Sequence, residues 1–311
     1  MDNQKHQQML SIISNSEKNA WVIDEILPEN FLFDTSKQFI PMIIPPGGNE
    51  LSKFTASEVT LISQLHAIEY TRLIHLVEEF IVDIALVELK GKTERDPVEV
   101  RMLSRFIDEE VKHQLMFNRF GNILKKQIND SIKIPSNEIS FSKKVMTKHP
   151  LSVWLLALHG EITTHFHYTD IFKLSLGVEP KFVELLKYHW MEESQHVRVD
   201  IIEMNNILLS MSEEQKKIAL NDYIELLVEL DKEMFNSADI LIQNFQICTG
   251  SKSEQVGSKD LLKNFLVRTL RNFLVYVAFR HPTVLNTIKL LDKNFNPKII
   301  QDRIESQALV G

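Results

Sequence analysis

The residues of this chain best suited to chemistry are two Glu-x-x-His pairs, Glu110 with His113 in DEEVKH and Glu193 with His196 in HWMEESQH. Residues three apart on an α-helix project from one face, so each pair can offer a carboxylate oxygen and an imidazole nitrogen to one metal ion. A further glutamate stands about 32 residues upstream of each pair, on another apolar stretch: Glu78 or Glu79 before the first and Glu161 before the second. Two such pairs with two such glutamates describe the donor set of a carboxylate-bridged dinuclear metal site.

The neighbours of these residues argue that the site is internal. Glu110 lies along a stripe with Leu103, Phe106 and Phe117, and Glu161 shares its face with Trp154, Ala157 and Leu158. An unpaired buried ion costs several kcal/mol, so four internal carboxylates demand cations. Two ferrous ions supply the four matching positive charges. Either pair alone suits a solvated helix face equally well; the matched upstream glutamates decide for the internal site.

Glu78 and Glu79 project about 100° apart. Glu78 is the preferred ligand, because it shares a face with Ile74, Ile81 and Ala85 and precedes Pro97 by 19 residues, as Glu161 precedes Pro180. Glu79, with Arg72 and Asp83 nearby, stays the alternative. His189, four residues before Glu193 and seven before His196, falls on the same face as both and adds a third histidine. His165, Trp154 and Tyr168 follow or precede Glu161 at helical spacing and are read as pocket-lining. His66, His75, His159 and His167 are read as structural or exposed.

These side chains need long helices to hold them. With 9 glycines and 10 prolines in 311 residues and apolar positions at helical spacing between them, the chain reads as all-α. Residues 1–50 form a short helix and an irregular strap; 51–210 form the four-helix bundle core; 211–311 add C-terminal helices packing on the same core. Thr55 or Ser57 starts a helix that runs to about Lys90, and Pro97 opens the next, to about Gln127. A helix over 151–176, stopped by Gly177, and one opened by Pro180 repeat the design. Pro97 and Pro180 each precede a Glu-x-x-His glutamate by 13 residues. The segment 125–150 reads as a crossover connection, 212–246 and 259–280 as packing helices, and 248–260 as a turn.

Composition limits the partners. A net charge of −7 gives no field to attract nucleic acid, and the single cysteine, Cys248, excludes an intrachain disulfide. No secretory start and no run of about 18 apolar residues is present, so a cytoplasmic protein with no membrane partner is expected.

The succession of glutamate, Asp/Glu-Glu-x-x-His, glutamate and His-x-x-x-Glu-x-x-His over residues 60–205 resembles the p-aminobenzoate N-oxygenase family of non-haem di-iron enzymes, of the ferritin-like superfamily. DEEVKH and HWMEESQH carry the likeness. The resemblance implies a ferritin-like four-helix bundle with additional N- and C-terminal helices, often dimeric. It also implies two iron ions (Fe2+/Fe3+) held by Glu78 or Glu79, Glu110, His113, Glu161, His189, Glu193 and His196. The implied activity is O2-dependent oxygenation of a small amine to a hydroxylamine, nitroso or nitro compound, with an external electron donor. Manganese accepts the same oxygen and nitrogen ligands. The alternatives are a di-iron C–H hydroxylase or radical-generating subunit, with Tyr168 or Tyr188 as its tyrosine, and a ferritin-like iron-binding protein without organic substrate.

Overall fold

The computed structural model describes residues 3–42, 50–91, 96–135, 139–250 and 256–308. It is all-α: α1 (Asn3–Asn19), a single turn α2 (Ile23–Ile26), α3 (Ala56–Gly91), α4 (Pro97–Ile128), α5 (Ile139–Val145), α6 (Pro150–Phe166), α7 (Pro180–Leu208), α8 (Glu213–Thr249), α9 (Val256–Arg271), α10 (Pro282–Lys289) and α11 (Lys298–Ala308). Helices α3, α4, α6 and α7 form a four-helix bundle; α3 packs on α4 and α6, and α7 on α6 and α4. The remaining helices cover it, with α1 against α4 and α7, and α8 against α3 and α6. Among the described residues no helix is long and apolar enough to cross a membrane.

Helix starts set the rotational phase of the site. Thr55, not Ser57, caps α3: its hydroxyl accepts from the Glu58 amide (3.3 Å), and the Glu58 carboxylate accepts from the Thr55 amide (2.8 Å). Proline occupies the first turn of α4, α6 and α7, behind the capping side chains Asp96, His149 and Glu179. Pro97 and Pro180 therefore lock two helices into the same phase, which turns both Glu-x-x-His pairs inward.

The segments 151–176 and 259–280 depart from the sequence expectation. Regular α-geometry of α6 ends at Phe166, not near Leu176; a π-helical turn (His167–Ile171) and a 3-10 turn (Phe172–Leu174) follow before Gly177 at φ 82°. Likewise α9 stops at Arg271 and passes into a π-helical turn (Asn272–Tyr276) and a 3-10 turn (Ala278–Arg280). The two π-helical turns touch: His159 and His167 of the first helix hydrogen-bond the Leu274 and Phe273 carbonyls of the second. Side-chain donors have claimed carbonyls that regular helix would otherwise use.

The N-terminal strap has few backbone partners of its own, and bundle side chains supply them. The Ser63 hydroxyl takes the Phe39 and Ile40 amides (2.9 and 3.0 Å), Gln64 donates to the Thr35 and Lys37 carbonyls, and Gln127 engages Phe31 and Phe33. Phe33 and Phe39 then pack on Phe120. The Pro45–Gly48 run, part of the turn 248–260 and residues 136–138 of the crossover lie outside the described residues.

Gly160, one residue before Glu161, lets α6 approach α3 closely, since a Cβ there would stand 2.9 Å from Val77 Cγ1. Gly160→Ala gains ~1 kcal/mol of helix propensity but incurs an overpacking cost of about 1–3 kcal/mol. A double-mutant cycle by denaturant unfolding is expected to show that Val77→Ala relieves the Gly160→Ala penalty; additive effects would mean the two helices are not held apart by this contact.

Candidate metal centre

Each bundle helix brings its own side chains to one point. Glu78 comes from α3, Glu110 and His113 from α4, Glu161 from α6, and His189, Glu193 and His196 from α7, all at most 3 % exposed. Two overlapping groups, Glu78–His113–His189–Glu193 and Glu110–His113–Glu193–His196, each place one donor atom per residue within 4.8 Å of one another. Glu161 joins from the side, its Oε1 3.8 Å from His196 Nδ1. Glu79 points elsewhere. It is 28 % exposed and its carboxylate lies 3.3 Å from His75 Nε2.

Apart from His189 Nε2, which hydrogen-bonds Glu78 Oε1 at 3.0 Å, the atoms at the centre are close without bonding one another. His196 Nδ1 is 2.6 Å from Glu110 Oε1 and His113 Nδ1 is 3.1 Å from Glu193 Oε1. Yet both Nδ1 atoms, Glu193 Oε1, Glu78 Oε2 and both carboxylate oxygens of Glu110 and of Glu161 lack a directed hydrogen bond. Lone pairs that converge on shared points rather than on each other fit cations between them, and four carboxylates with neutral imidazoles balance two divalent ions. The donor set therefore fits a dinuclear metal cluster.

The outer ring nitrogens explain why Nδ1 faces inward. His113 Nε2 hydrogen-bonds Glu192 (2.8 Å), and His196 Nε2 hydrogen-bonds Glu109 (3.0 Å). The arrangement is reciprocal, because Glu109 on α4 holds the histidine of α7 while Glu192 on α7 holds the histidine of α4. Carboxylate partners of this kind fix the tautomer and strengthen the ligand. Glu109 is itself held by the Ser16 hydroxyl of α1, which also takes Arg105 Nε at 2.5 Å. Glu192 takes Lys112 Nζ at 2.5 Å; that ammonium sits 4.1 Å over the Trp21 ring, which stacks on His113. Sequence reasoning missed Glu109 and Glu192. The signal was the doubled glutamate, Glu-Glu-x-x-His, in both motifs.

Without a cation, protons do the neutralising. Burial favours neutral imidazole, yet the hydrogen bond that His113 makes to Glu192 and the nearby Glu193 carboxylate push it up to about 10. His196 is likewise driven well up, by Glu110 and Glu193 against burial. Burial pushes Glu78 far above the carboxylate range and raises Glu110. Glu109 goes the other way: against burial, His196 and Ser16 hold it down to about 2. His189 is pushed well below 6.5 by burial and by the charges of His113 and His196.

A cavity of about 30 Å³ opens beside the cluster, reaching Glu78, Glu161, His189 and Glu193 and otherwise walled mainly by apolar side chains of α3 and α6 such as Leu73, Ile74 and Leu156. A water needs at least about 10–15 Å³ of such space, so dioxygen or an amino group fits. His165, Trp154 and Tyr168 do not line it. His165 and Tyr168 pack on Trp190, with ring centroids 5.5 and 4.9 Å away, and Trp154 is buried against Phe106.

No protein-family model matches this chain, and no curated protein matches it. Among solved structures, one similar chain is a variant of an R2-like ligand-binding oxidase with an anaerobically reconstituted Mn/Fe cofactor, at TM-score 0.47 and 16% identity over 92% of this chain and 94% of that one. Another variant of that oxidase, also with an anaerobically reconstituted Mn/Fe cofactor, has TM-score 0.47 and 17% identity over 93% of each chain.

Two outcomes follow from the centre's geometry and charge. A His113 pKa raised from 6.5 to about 10 gives stability that is complete below 6.5 and lost as pH rises through about 10. The raised Glu78 and Glu110 act with the same sign. Calorimetry should show metal-free protein losing stability across that window, and metal-loaded protein much less so, because metal replaces the protons. Separately, Glu109→Gln and Glu192→Gln should each weaken metal affinity about 10–100-fold in competition with a chelator; unchanged affinity would deny these carboxylates their role.

Proposed function

We propose that this protein is a non-haem dinuclear metal oxygenase that holds two iron ions, activates dioxygen and oxygenates the nitrogen of a small amine. The observation that carries this reading is the buried convergence of four carboxylates and three histidines, in which the inward Nδ1 atoms of His113 and His196 and at least one oxygen of each carboxylate lack hydrogen-bond partners. Glu78, Glu110, Glu161 and Glu193 with His113, His189 and His196 are the proposed ligands, and manganese suits the same set. When bound, a ferrous pair supplies the electrons that activate dioxygen.

The protein's own residues do the rest. Glu109 and Glu192 hold the His196 and His113 rings so that Nδ1 stays unprotonated and inward once a cation is present. The apolar cavity wall excludes bulk water from the reacting face, and its size suits dioxygen or the amino end of a substrate. The third histidine, His189, adds a nitrogen beside Glu78 and Glu193, 3.0 Å from each. That extra nitrogen, together with the motif resemblance, supports N-oxygenation over C–H hydroxylation. An external donor returns the centre to its ferrous state. A storage role fits less well, because the strap and α1 close over the centre.

Metal analysis, anaerobic reduction and mixing with dioxygen test the reading. The expected result is about two irons per chain, oxygen consumption, and hydroxylamine, nitroso or nitro products from a screen of small amines. Failure to take up metal on reconstitution would overturn it. His189→Ala should keep the fold and the iron but lose product; full product with full iron loading would remove His189 from the chemistry.

A further inference from the structure

Tyr70 of α3 and His167 of the π-helical turn form a pair that the metal chemistry leaves unused. Both are 1 % exposed, and the Tyr70 hydroxyl lies 2.6 Å from His167 Nδ1. The other ring nitrogen, Nε2, lies 2.8 Å from the Phe273 carbonyl oxygen. A carbonyl only accepts, so Nε2 carries the proton, Nδ1 is bare, and the phenol must donate to it. The donor and acceptor roles along Tyr70, His167 and Phe273 are thus fixed by the backbone of the second π-helical turn.

Tyr70 also lies within the electrostatic reach of the metal centre. It stands eight residues before Glu78 on α3, about 12 Å along the helix axis and about 80° around it. Burial and the fields of Glu193 and Glu78 both disfavour its phenolate, so the phenol stays protonated at any ordinary pH. Leu73 and Ile74, between the two on α3, line the cavity. The protein carries an internal comparison: Tyr223 is 2.8 Å from His159 Nδ1, and His159 Nε2 is 3.0 Å from the Leu274 carbonyl oxygen. That pair has the same geometry, but burial alone perturbs its phenol, with no contribution from the centre's carboxylates. Tyr168 and Tyr188, the tyrosines singled out by sequence, pack on Trp190 and Trp21, and among the described residues neither hydroxyl has a histidine partner.

We propose that Tyr70 is a redox-active tyrosine that gives one electron to the dioxygen-oxidised metal centre, with His167 Nδ1 taking its proton. The step rests on the dinuclear oxygenase reading above. It balances: the Tyr70 O–H bond breaks, the proton forms an N–H bond at His167 Nδ1, and the electron reduces the centre by one equivalent. The products are a neutral tyrosyl radical and an imidazolium whose Nε2–H still donates to Phe273. Return of the electron from the external donor and of the proton from Nδ1 resets the pair. The role is to supply an electron when the centre is oxidised without substrate in reach.

The test is freeze-quench electron paramagnetic resonance of ferrous-loaded protein mixed with dioxygen in the absence of amine, with metal content and oxygen consumption measured on the same samples. A tyrosyl signal is expected in the unmodified protein, narrowed by ring-deuterated tyrosine. It should persist in Tyr223→Phe, and be lost in Tyr70→Phe and in His167→Gln with iron content unchanged. Oxygen consumption at full iron loading without a tyrosyl signal, or a signal that survives Tyr70→Phe, would overturn the assignment while leaving the oxygenase reading in place. Absence of metal uptake would overturn both. A second measurement needs no metal: nitrogen-15 spectra of histidine-labelled protein should show His167, identified by its shift in Tyr70→Phe, as the Nε2–H tautomer. Finding the proton on Nδ1 would remove the acceptor and with it the proposal.

Discussion

Like-charged carboxylates cannot share a dry interior unless something positive stands between them, and the placement of Glu78, Glu110, Glu161 and Glu193 at the centre of the bundle makes this the governing constraint of the molecule. Protons offer one solution: without a cation His113 and His196 are driven toward the charged form, and Glu78 and Glu110 toward the neutral one. Two divalent cations offer the other, and the geometry belongs to that one. Atoms meant to exchange a proton line up with each other; here Nδ1 and carboxylate oxygens lie close and are misaligned, aimed at common points. The surrounding architecture serves the convergence. Proline at the start of α4 and α7 sets their rotation, and a glycine before Glu161 sets the gap to α3.

The support for the imidazoles ties the bundle together across its middle. Because each Glu-Glu-x-x-His motif supplies both a ligand pair and the carboxylate that orients the other motif's histidine, α4 and α7 cannot shift against each other without misorienting both rings. The N-terminal segment extends this outward. Ser16 fixes Glu109 and Trp21 covers His113, so a region that looks peripheral in sequence packs directly against the residues of the centre. Its own backbone is satisfied by Ser63, Gln64 and Gln127 of the bundle, which makes the cover a docked part of the fold.

The two π-helical turns serve a second polar system beside the first. Widening the helix at Asn272–Tyr276 frees the Phe273 and Leu274 carbonyls for His167 and His159, and each histidine in turn presents a bare nitrogen to a buried tyrosine. Irregular helix is here the means by which buried imidazoles acquire a defined tautomer. Tyr168 packs on Trp190 outside the cavity lining, and Tyr70 lies within the field of Glu193 and Glu78.

Sequence by itself determined the helices, the candidate donor residues and the phase between them. Proline at N1, a capping carboxylate or hydroxyl, and three-residue spacing act within a few turns of chain, so Pro97 with Glu110 and His113, or Pro180 with Glu193 and His196, could be read without knowing what they face. Glu78 was separable from Glu79 for the same reason, because helix periodicity assigns each to a face, and the structure turns Glu78 inward and Glu79 toward His75 and solvent. What tertiary structure decided were relations between segments distant in sequence. The hydrogen bonds of Glu109 to His196 and Glu192 to His113, the cover by Ser16 and Trp21, and the end of regular helix at Phe166 all depend on partners about 80 or more residues away. No local propensity encodes such a partner. A carboxylate beside a ligand reads as a solvated neighbour until the opposing helix brings a ring nitrogen to it, and a histidine reads as helix interior until a carbonyl from another turn takes its proton.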